Sequence, residues 1–331
     1  MEIANYGAAH QGTRLSQMPT MQNTCTICSR RQAFFFREYS GQRLCQKCFT
    51  ESIETKTRAT IAKYKMFSYN DRVAVAISGG KDSLSLLSVL VKIQEIKPKA
   101  SLVAITVDEG IKGYRDEALK IAAEICRKLR IEHHVVSFKE LFGLTLDELV
   151  ERKAKNNESK LTACAYCGVL RRRALNEAAL RVGANKLATA HTLDDEAQTM
   201  LMNIFRGDLV RLAKEKPFTD YIHPRFVQKV KPFCEILERE SALYAYIEDI
   251  AFQATPCPHA SFALRNDLRS MLNSMDEKHP GTKFALASAI ERLQPALNMT
   301  IEKSDFTECS QCGEPASSGL CKVCEMLKEF P

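Results

Sequence analysis

The stretch A-V-A-I-S-G-G-K-D-S-L-S-L-L, residues 74–87, limits the fold more than any other part of the chain. Small and β-branched apolar residues read as a buried strand, and an apolar helical pattern begins directly after Ser-Gly-Gly-Lys-Asp-Ser. A strand that turns at once into a helix is the building unit of an α/β sheet. Gly79 and Gly80 let backbone amides approach a ligand. The helix starting near Asp82 offers unpaired N–H groups at its positive end. With hydroxyls from Ser78 and Ser83 and the charge of Lys81, residues Ser78, Gly79, Gly80, Lys81, Asp82 and Ser83 make a phosphate cradle. A Walker A loop is excluded, because Val75 holds the place of its early glycine and Asp82 follows the lysine. An aspartate beside phosphates needs a cation, which makes Asp82 a Mg²⁺ ligand. A capped strand-to-helix turn explains the glycines and serines, but not all six residues in this order.

The alternation continues along the chain. Strands are expected at Arg72–Ile77, 101–108, 132–138 and 186–190, and helices from Asp82, over Arg115–Leu129 and over Asp194–Phe205. This pattern predicts an α/β, doubly wound, mostly parallel sheet with helices on both faces. From Glu238 the pattern is mainly helical, with segments at 261–275 and 284–293. The polar segment 151–160 reads as a loop. Residues 1–22 lack the apolar core of a secretory signal and read as a poorly ordered tail. No apolar run approaches the ~20 residues of a membrane span. A cytoplasmic protein is expected, with no membrane partner. The net charge of +7 suits an acidic partner such as nucleic acid, or simply a basic soluble protein.

Thirteen cysteines in such a chain point to metal rather than disulfides. Cys25, Cys28, Cys45 and Cys48 follow C-x₂-C-x₁₆-C-x₂-C, and Cys309, Cys312, Cys321 and Cys324 repeat the design with a shorter loop. Both read as closed structural Zn²⁺ sites. Arg30, Arg31, Arg37, Arg43 and Lys47 around the first could track phosphates or form a solvated face. Cys126 and Cys234 sit in apolar patterns and read as packing. Cys164 and Cys167 open a helix beside Arg171, Arg172 and Arg173, a setting that lowers thiol pKa. Cys257 stands in a proline-flanked turn far downstream. With Cys257 they could ligate a [4Fe–4S] cluster with one open iron, the pair could be a redox dithiol, or a third zinc site could form with Cys257 and His259.

A-T-A-H-T-L-D-D-E-A-Q-T, 188–199, ends a strand with His191 and opens a helix with Asp194 and Asp195. Thr192 can cap that helix, which makes the two acids ordinary early-helix residues. Alternatively they face the ligand crevice at the strand ends. Asp108, in V-D-E-G at 107–110, ends another strand at such a place.

The motif S-G-G-K-D-S resembles the loop of the PP-loop ATP pyrophosphatases. Together with the cysteine modules, C-A-Y-C-G-V-L-R-R, H-T-L-D-D-E-A-Q, R-G-D at 206–208 and the late C-P, the chain resembles the tRNA 2-thiouridine synthetases of the TtuA type from about Cys25 to Cys324. That family includes archaeal and eukaryotic cytosolic tRNA thiolation proteins. The resemblance implies a Rossmann-like PP-loop fold that holds ATP, with the pyrophosphate on the cradle and adenine at the neighbouring strand ends. It implies adenylation of a uridine C2 oxygen in tRNA, followed by displacement of AMP by sulfur. Cys164, Cys167 and Cys257 match the cluster ligands, and Arg171 and Asp195 match positions considered catalytic. Some relatives carry Lys at the former; Arg keeps the charge but offers no deprotonatable amine, leaving electrostatic stabilisation. Ala190 replaces a more usual Gly, and Cys48 replaces His of some relatives. A homodimer is implied, as is a sulfur donor that is either a ubiquitin-like thiocarboxylate protein or free sulfide. The expected organisation is a tail at 1–22, a zinc module at 23–54, a PP-loop domain at 55–235, its helical part at 236–302 and a second zinc module at 303–331.

Three rival readings have distinguishing features. A tRNA 2-thiocytidine synthetase normally lacks the paired zinc modules. An ATP-dependent amide or lysidine synthetase has no need of Cys164, Cys167 and Cys257. A non-catalytic RNA-binding partner has no need of an intact cradle.

Overall fold

The computed structural model describes residues 23–94, 100–156, 161–220, 223–259, 264–299 and 307–328. The expected tail at 1–22 lies outside them. The chain forms two compact units, one up to Ile53 and one from Glu54 onward.

In the first unit, strands β1 (Phe35–Arg37) and β2 (Gln42–Leu44) form an antiparallel hairpin. Helix α1 (Gln46–Lys63) follows and runs on into the second unit. Leu44, Phe49 and Ile53 are fully buried, and Phe35 meets Phe49 edge to face at 5.1 Å between ring centroids. So small a core needs a staple. Cys25, Cys28, Cys45 and Cys48 supply one: their sulfurs lie within 4.8 Å of one another. A tetrahedron of thiolates ~2.3 Å from zinc spaces its sulfurs ~3.8 Å apart, and Cys28 and Cys45 stand 4.0 Å apart. Burial opposes ionisation of Cys25, but backbone amides outweigh it and bring the thiol down to about 6. At Cys48 burial and the neighbouring thiols push the other way, up to about 12. A divalent cation resolves that conflict.

The second unit is built on the β-α alternation. Its elements are β3 (Arg72–Ala76), α2 (Lys81–Gln94), β4 (Ser101–Asp108), α3 (Arg115–Leu129), β5 (His133–Ser137), α4 (Phe138–Phe142), α5 (Leu146–Asn156), α6 (Ala163–Arg181), β6 (Lys186–Ala188), α7 (Leu193–Phe205), α8 (Leu209–Lys214) and β7 (Gln228–Val230). Five parallel strands order as β5-β4-β3-β6-β7. From β3 the chain winds outward through β4 to β5, then returns past β3 to add β6 and β7. With right-handed crossovers, that reversal puts helices on both faces. Ala74, Val103, Ile105 and Leu187 are fully buried, as strands covered on both faces require.

Helices α9 (Glu238–Ile247), α10 (Leu264–Lys278) and α11 (Thr282–Met299) follow. The last pieces are a hairpin of β8 (Thr307–Glu308) and β9 (Pro315–Ala316), and α12 (Lys322–Leu327). The hairpin gathers Cys309, Cys312, Cys321 and Cys324 within the same 4.8 Å, with Cys312 and Cys321 3.6 Å apart.

Two expectations need correction. Residues 151–156, read as loop, are the end of α5; its apolar face buries Leu146 and Leu149 and leaves the polar end of the helix outside. Residues 157–160 lie outside the described residues. The fifth strand, β7, was not anticipated. Among the described residues, no helix is long and apolar enough to cross a membrane.

Candidate active site

Strand order reverses between β3 and β6, so the loops leaving these two strands part and open a crevice at the C-terminal edge of the sheet. Ser78 to Ser83 follow β3. The Ser83 hydroxyl organises the loop, accepting the Ser78 N–H at 3.0 Å and donating to the Gly80 carbonyl at 2.9 Å. Gly79 sits at φ +83°, and a Cβ there would lie 2.7 Å from Cβ of Ala118 and 2.8 Å from its backbone. The loop can therefore lie against α3 only with glycine here. Lys81 Nζ bridges Asp82 at 2.9 Å and Glu238 at 2.8 Å. Burial pushes the Asp82 carboxyl up, against the opposing charge of Lys81. Burial also acts on Glu238, but Lys81 and Arg269 outweigh it and hold that carboxyl down.

Asp108 closes β4 by accepting the Gly110 N–H at 2.8 Å. Its neighbour Glu109 is almost fully buried between two arginines, with Arg115 Nε at 2.8 Å and Arg171 Nε at 2.7 Å. Arg115 also donates to the carbonyls of Ser78 and Val107, at 3.0 and 2.6 Å. Arg171 in turn donates to Cys167 Sγ at 3.2 Å. A chain of contacts thus runs from the phosphate cradle to the central thiols.

Thr162 caps α6 by accepting the Ala165 N–H, which sets Cys164 and Cys167 in the first turns of that helix. Cys164 is exposed and donates to the His259 carbonyl at 3.4 Å. Cys167 is buried, and burial pushes its thiol up to about 11, outweighing Arg171. This corrects the expected lowering at Cys167: Arg171 does not offset the loss of water. Cys257 is half-buried and packs against the core cluster that contains Cys167. Gln253 explains how it gets there, because its N–H donates to the Gly79 carbonyl at 2.9 Å and its amide to the Tyr114 carbonyl at 2.5 Å. The segment carrying Cys257 is thereby tied to the cradle.

Among the described residues, the sets of metal-ligating atoms within 4.8 Å of one another are the two four-cysteine modules, so the central three do not surround a single ion. His259 does not join them; its Nε2 pairs with Asp147 at 2.6 Å. Eight cysteines belong to the modules, and Cys126 and Cys234 are buried. That leaves Cys164, Cys167 and Cys257, three soft donors with one exposed, a set that suits a polynuclear iron–sulfur group better than one ion.

At the β6 side, His191 is open to solvent with Nδ1 2.9 Å from Thr189 Oγ1. Although the ring reaches solvent, desolvation by the surrounding protein and then the charge of Lys231 push its pKa down to about 4, so it is neutral at pH 7. Thr192 and Asp195 form a capping box on α7. Asp194 does not face the crevice opening: it is buried, accepts the Glu238 N–H at 2.6 Å and pairs with buried Lys283. These two acids begin as helix-cap chemistry, the alternative that the sequence had left open.

A crevice of about 190 Å³ lies on the β3–β4 side, lined by Ser78, Gly80, Glu109, Tyr114, Arg115, Arg171 and Gln253 among others, and His191, Asp194 and Asp195 are not part of its lining. A larger cavity of about 430 Å³, between Lys63, Tyr64, Met200 and Phe284, is lined by Leu193 and Glu196 of the 188–199 motif but by none of the candidate cradle, metal-ligating or catalytic residues. Glu109, Arg115 and Gln253 were missed by sequence reasoning; Glu109 alone had a signal, next to Asp108 at a strand end. Glu109→Gln leaves two arginines without their buried counter-charge. It is expected to cost about 3 kcal/mol of stability, read by thermal or denaturant unfolding. An unchanged stability would show that the arginines do not depend on Glu109.

Residues 49–275 match the model of the ATP_bind_3 family, described as a PP-loop domain. The chain is 35% identical to the tRNA 2-thiolation protein NcsA of Haloferax volcanii, over 92% of this chain and 98% of that protein. It is 33% identical to the cytoplasmic tRNA 2-thiolation protein 1 of Schizosaccharomyces pombe, over 92% and 90%. The structure of the U34-tRNA thiolase NcsA from Methanococcus maripaludis, solved with its [4Fe–4S] cluster, superposes with a TM-score of 0.81 at 32% identity, covering 94% of this chain and 97% of that one.

Proposed function

The chain belongs to the PP-loop tRNA 2-thiolation sulfurtransferases, and on that premise we propose that its crevice adenylates the C2 oxygen of uridine 34 in tRNA and replaces that oxygen with sulfur. One observation carries the reading: a single crevice is lined both by the phosphate cradle, through Ser78 and Gly80, and by Arg171, which touches Cys167. The choice of uridine 34 rests on the name of the M. maripaludis thiolase.

A pyrimidine carbonyl oxygen is a poor leaving group, and adenylation makes it a good one. The amides and hydroxyls of Ser78 to Ser83 bind the pyrophosphate end of ATP, and Lys81 offsets its charge. Asp82 is placed to hold Mg²⁺ once phosphates draw Lys81 away. Asp108 and His191 flank the nucleotide at the strand ends, His191 as a neutral donor or acceptor. The C2 oxygen attacks the α-phosphorus and pyrophosphate leaves with the bonding pair. Sulfur then adds to C2, and the C2–O bond breaks with its electrons going to AMP. Arg171, fixed by Glu109, offers positive charge to this second step, and Asp195 serves at the rim of the crevice. Cys164, Cys167 and Cys257 would hold a [4Fe–4S] cluster. When bound by three thiolates, such a cluster supplies an iron open to a sulfur ligand.

The sulfur comes from free sulfide or a ubiquitin-like thiocarboxylate protein, and the protein acts in the cytoplasm as a homodimer. The test uses unmodified tRNA, Mg-ATP and sulfide with anaerobically reconstituted protein. Wild type is expected to make 2-thiouridine at position 34, and Asp82→Ala to make none. Equal product from both would remove the cradle from the reaction. Omitting sulfide and adding a thiocarboxylate protein distinguishes the donors.

A further inference from the structure

Three successive arginines on α6 meet three different surroundings. Arg171 pairs with Glu109 and Arg173 with Glu314, both buried acids. Arg172, between them, has neither an acidic partner nor a hydrogen bond among the described residues. Its surroundings follow from Asn176, one turn later on the same helix face. Asn176 clamps the chain just ahead of β7, donating to the Arg225 carbonyl at 2.7 Å and accepting the Val227 N–H at 2.9 Å. A crossover helix runs back against its strands. Four residues back along α6 cover ~6 Å, and two residues forward along β7 cover ~6.6 Å. That step leads from Asn176 to Arg172 and from Val227 to Lys229, and places the two cations side by side.

Lys229 too has no acidic partner among the described residues. The contrast is with Lys231, two residues on, which binds Glu196 at 2.8 Å and also pairs with Glu215. Enclosure by the protein, then Arg172 and Lys231, push Lys229 down to about 8. Enclosure and the nearby Arg211 of α8 likewise lower Arg172. Among the described residues exposed Arg211 pairs with half-buried Asp208 alone, at 3.3 Å. Like charges held together raise the energy of the folded protein, although Arg172 is exposed and Lys229 half-buried. An anion relieves that repulsion. Lys229 lies in register with Leu187 and, through it, with Ala74 midway along β3, so the pair stands on the last strand of the sheet, and Arg172 follows in sequence the arginine that touches Cys167.

We propose that Arg172 and Lys229 form a binding site for a backbone phosphate of the RNA strand that carries the target base. The site rests on the functional reading above and deepens it, by naming where the substrate strand is gripped beside the thiols. A nucleotide phosphate has the same chemistry, so the test separates the two sources. Arg172→Met and Lys229→Met are combined in one variant, which keeps the aliphatic stems, and Arg172→Lys keeps the charge. Binding of unmodified tRNA is measured across a KCl series, alongside the KM for ATP in pyrophosphate release and thermal unfolding.

The double variant should stay folded, bind tRNA severalfold more weakly and lose about one unit from the slope of log K against log[salt]. Its KM for ATP should not change, and Arg172→Lys should keep the wild-type slope. An unchanged slope in a double variant of a protein that does bind tRNA overturns the site and leaves the functional reading standing. A raised KM for ATP with an unchanged tRNA slope assigns the cations to the nucleotide and also overturns it. Wild-type protein that binds no tRNA overturns the functional reading itself.

Discussion

Gly79→Ala should reduce tRNA-dependent pyrophosphate release by roughly 100-fold or more, the scale of a loss caused by ~1 Å of misplacement. Two costs act together. The residue sits at φ +83°, where an L side chain is strained by ~1–2 kcal/mol. The new Cβ would also press on Ala118 at 2.7 Å, where the contacts include backbone rather than the end of a flexible side chain. The loop must move away from α3, and it would take with it the Gly79 carbonyl that accepts from Gln253. Because Gln253 leads to Cys257, thiolation should fall at least as far as pyrophosphate release. Gly80→Ala provides the comparison. A Cβ there meets only the Ser78 hydroxyl at 3.4 Å, so its loss should be much smaller. Equal effects of the two substitutions would mean that the contact with α3 does not set the loop.

Cys257→Ala should separate the two halves of the reaction. Pyrophosphate release should continue, since the cradle and Arg171 keep their partners, while 2-thiouridine formation should fall to the level of a no-enzyme control. Iron content after anaerobic reconstitution should drop in parallel and gives a readout independent of activity. The substitution removes a half-buried sulfur at the margin of the core cluster, so the stability cost should be only about 1 kcal/mol. Retained thiolation would remove Cys257 from the sulfur chemistry and leave Cys164 and Cys167 as a dithiol.

Strands β3 to β6 and helices α2, α3 and α7 were legible because each carries a periodic signal. The expected helix at Arg115–Leu129 and the strand at 101–108 occur with those limits, and the cysteine spacings pointed to both modules. What escaped has physical reasons. Strand β7 is three residues, Gln228 to Val230, with Lys229 at its centre and Lys231 directly after it. A strand so short and charged shows no apolar run, and only pairing with β6 makes it one. The end of α5 looked like a loop because its sequence is polar, and Glu151 and Arg152 are exposed. Glu109, Arg115, Gln253 and Lys283 act through partners distant in sequence, which no local pattern encodes. Asp194 looked like a crevice residue because it begins a helix after a strand end. Its use in a buried pair with Lys283 appears only when α11 packs against α7. The thiol pKa of Cys167 was misjudged for the same reason: charge can be read in a sequence, but burial must be built.

The central claim is that the uridine C2 oxygen leaves on AMP. It can be followed with tRNA bearing ¹⁸O at C2 of uridine 34, incubated with the reconstituted protein, Mg-ATP and a sulfur source. Mass spectrometry of the nucleotide products then locates the label. The account predicts one ¹⁸O in AMP for each 2-thiouridine formed, with one pyrophosphate released. Label recovered in inorganic phosphate beside ADP would mean phosphorylation of the base instead. Label recovered in water would mean no activation of that oxygen, and either result would contradict the account.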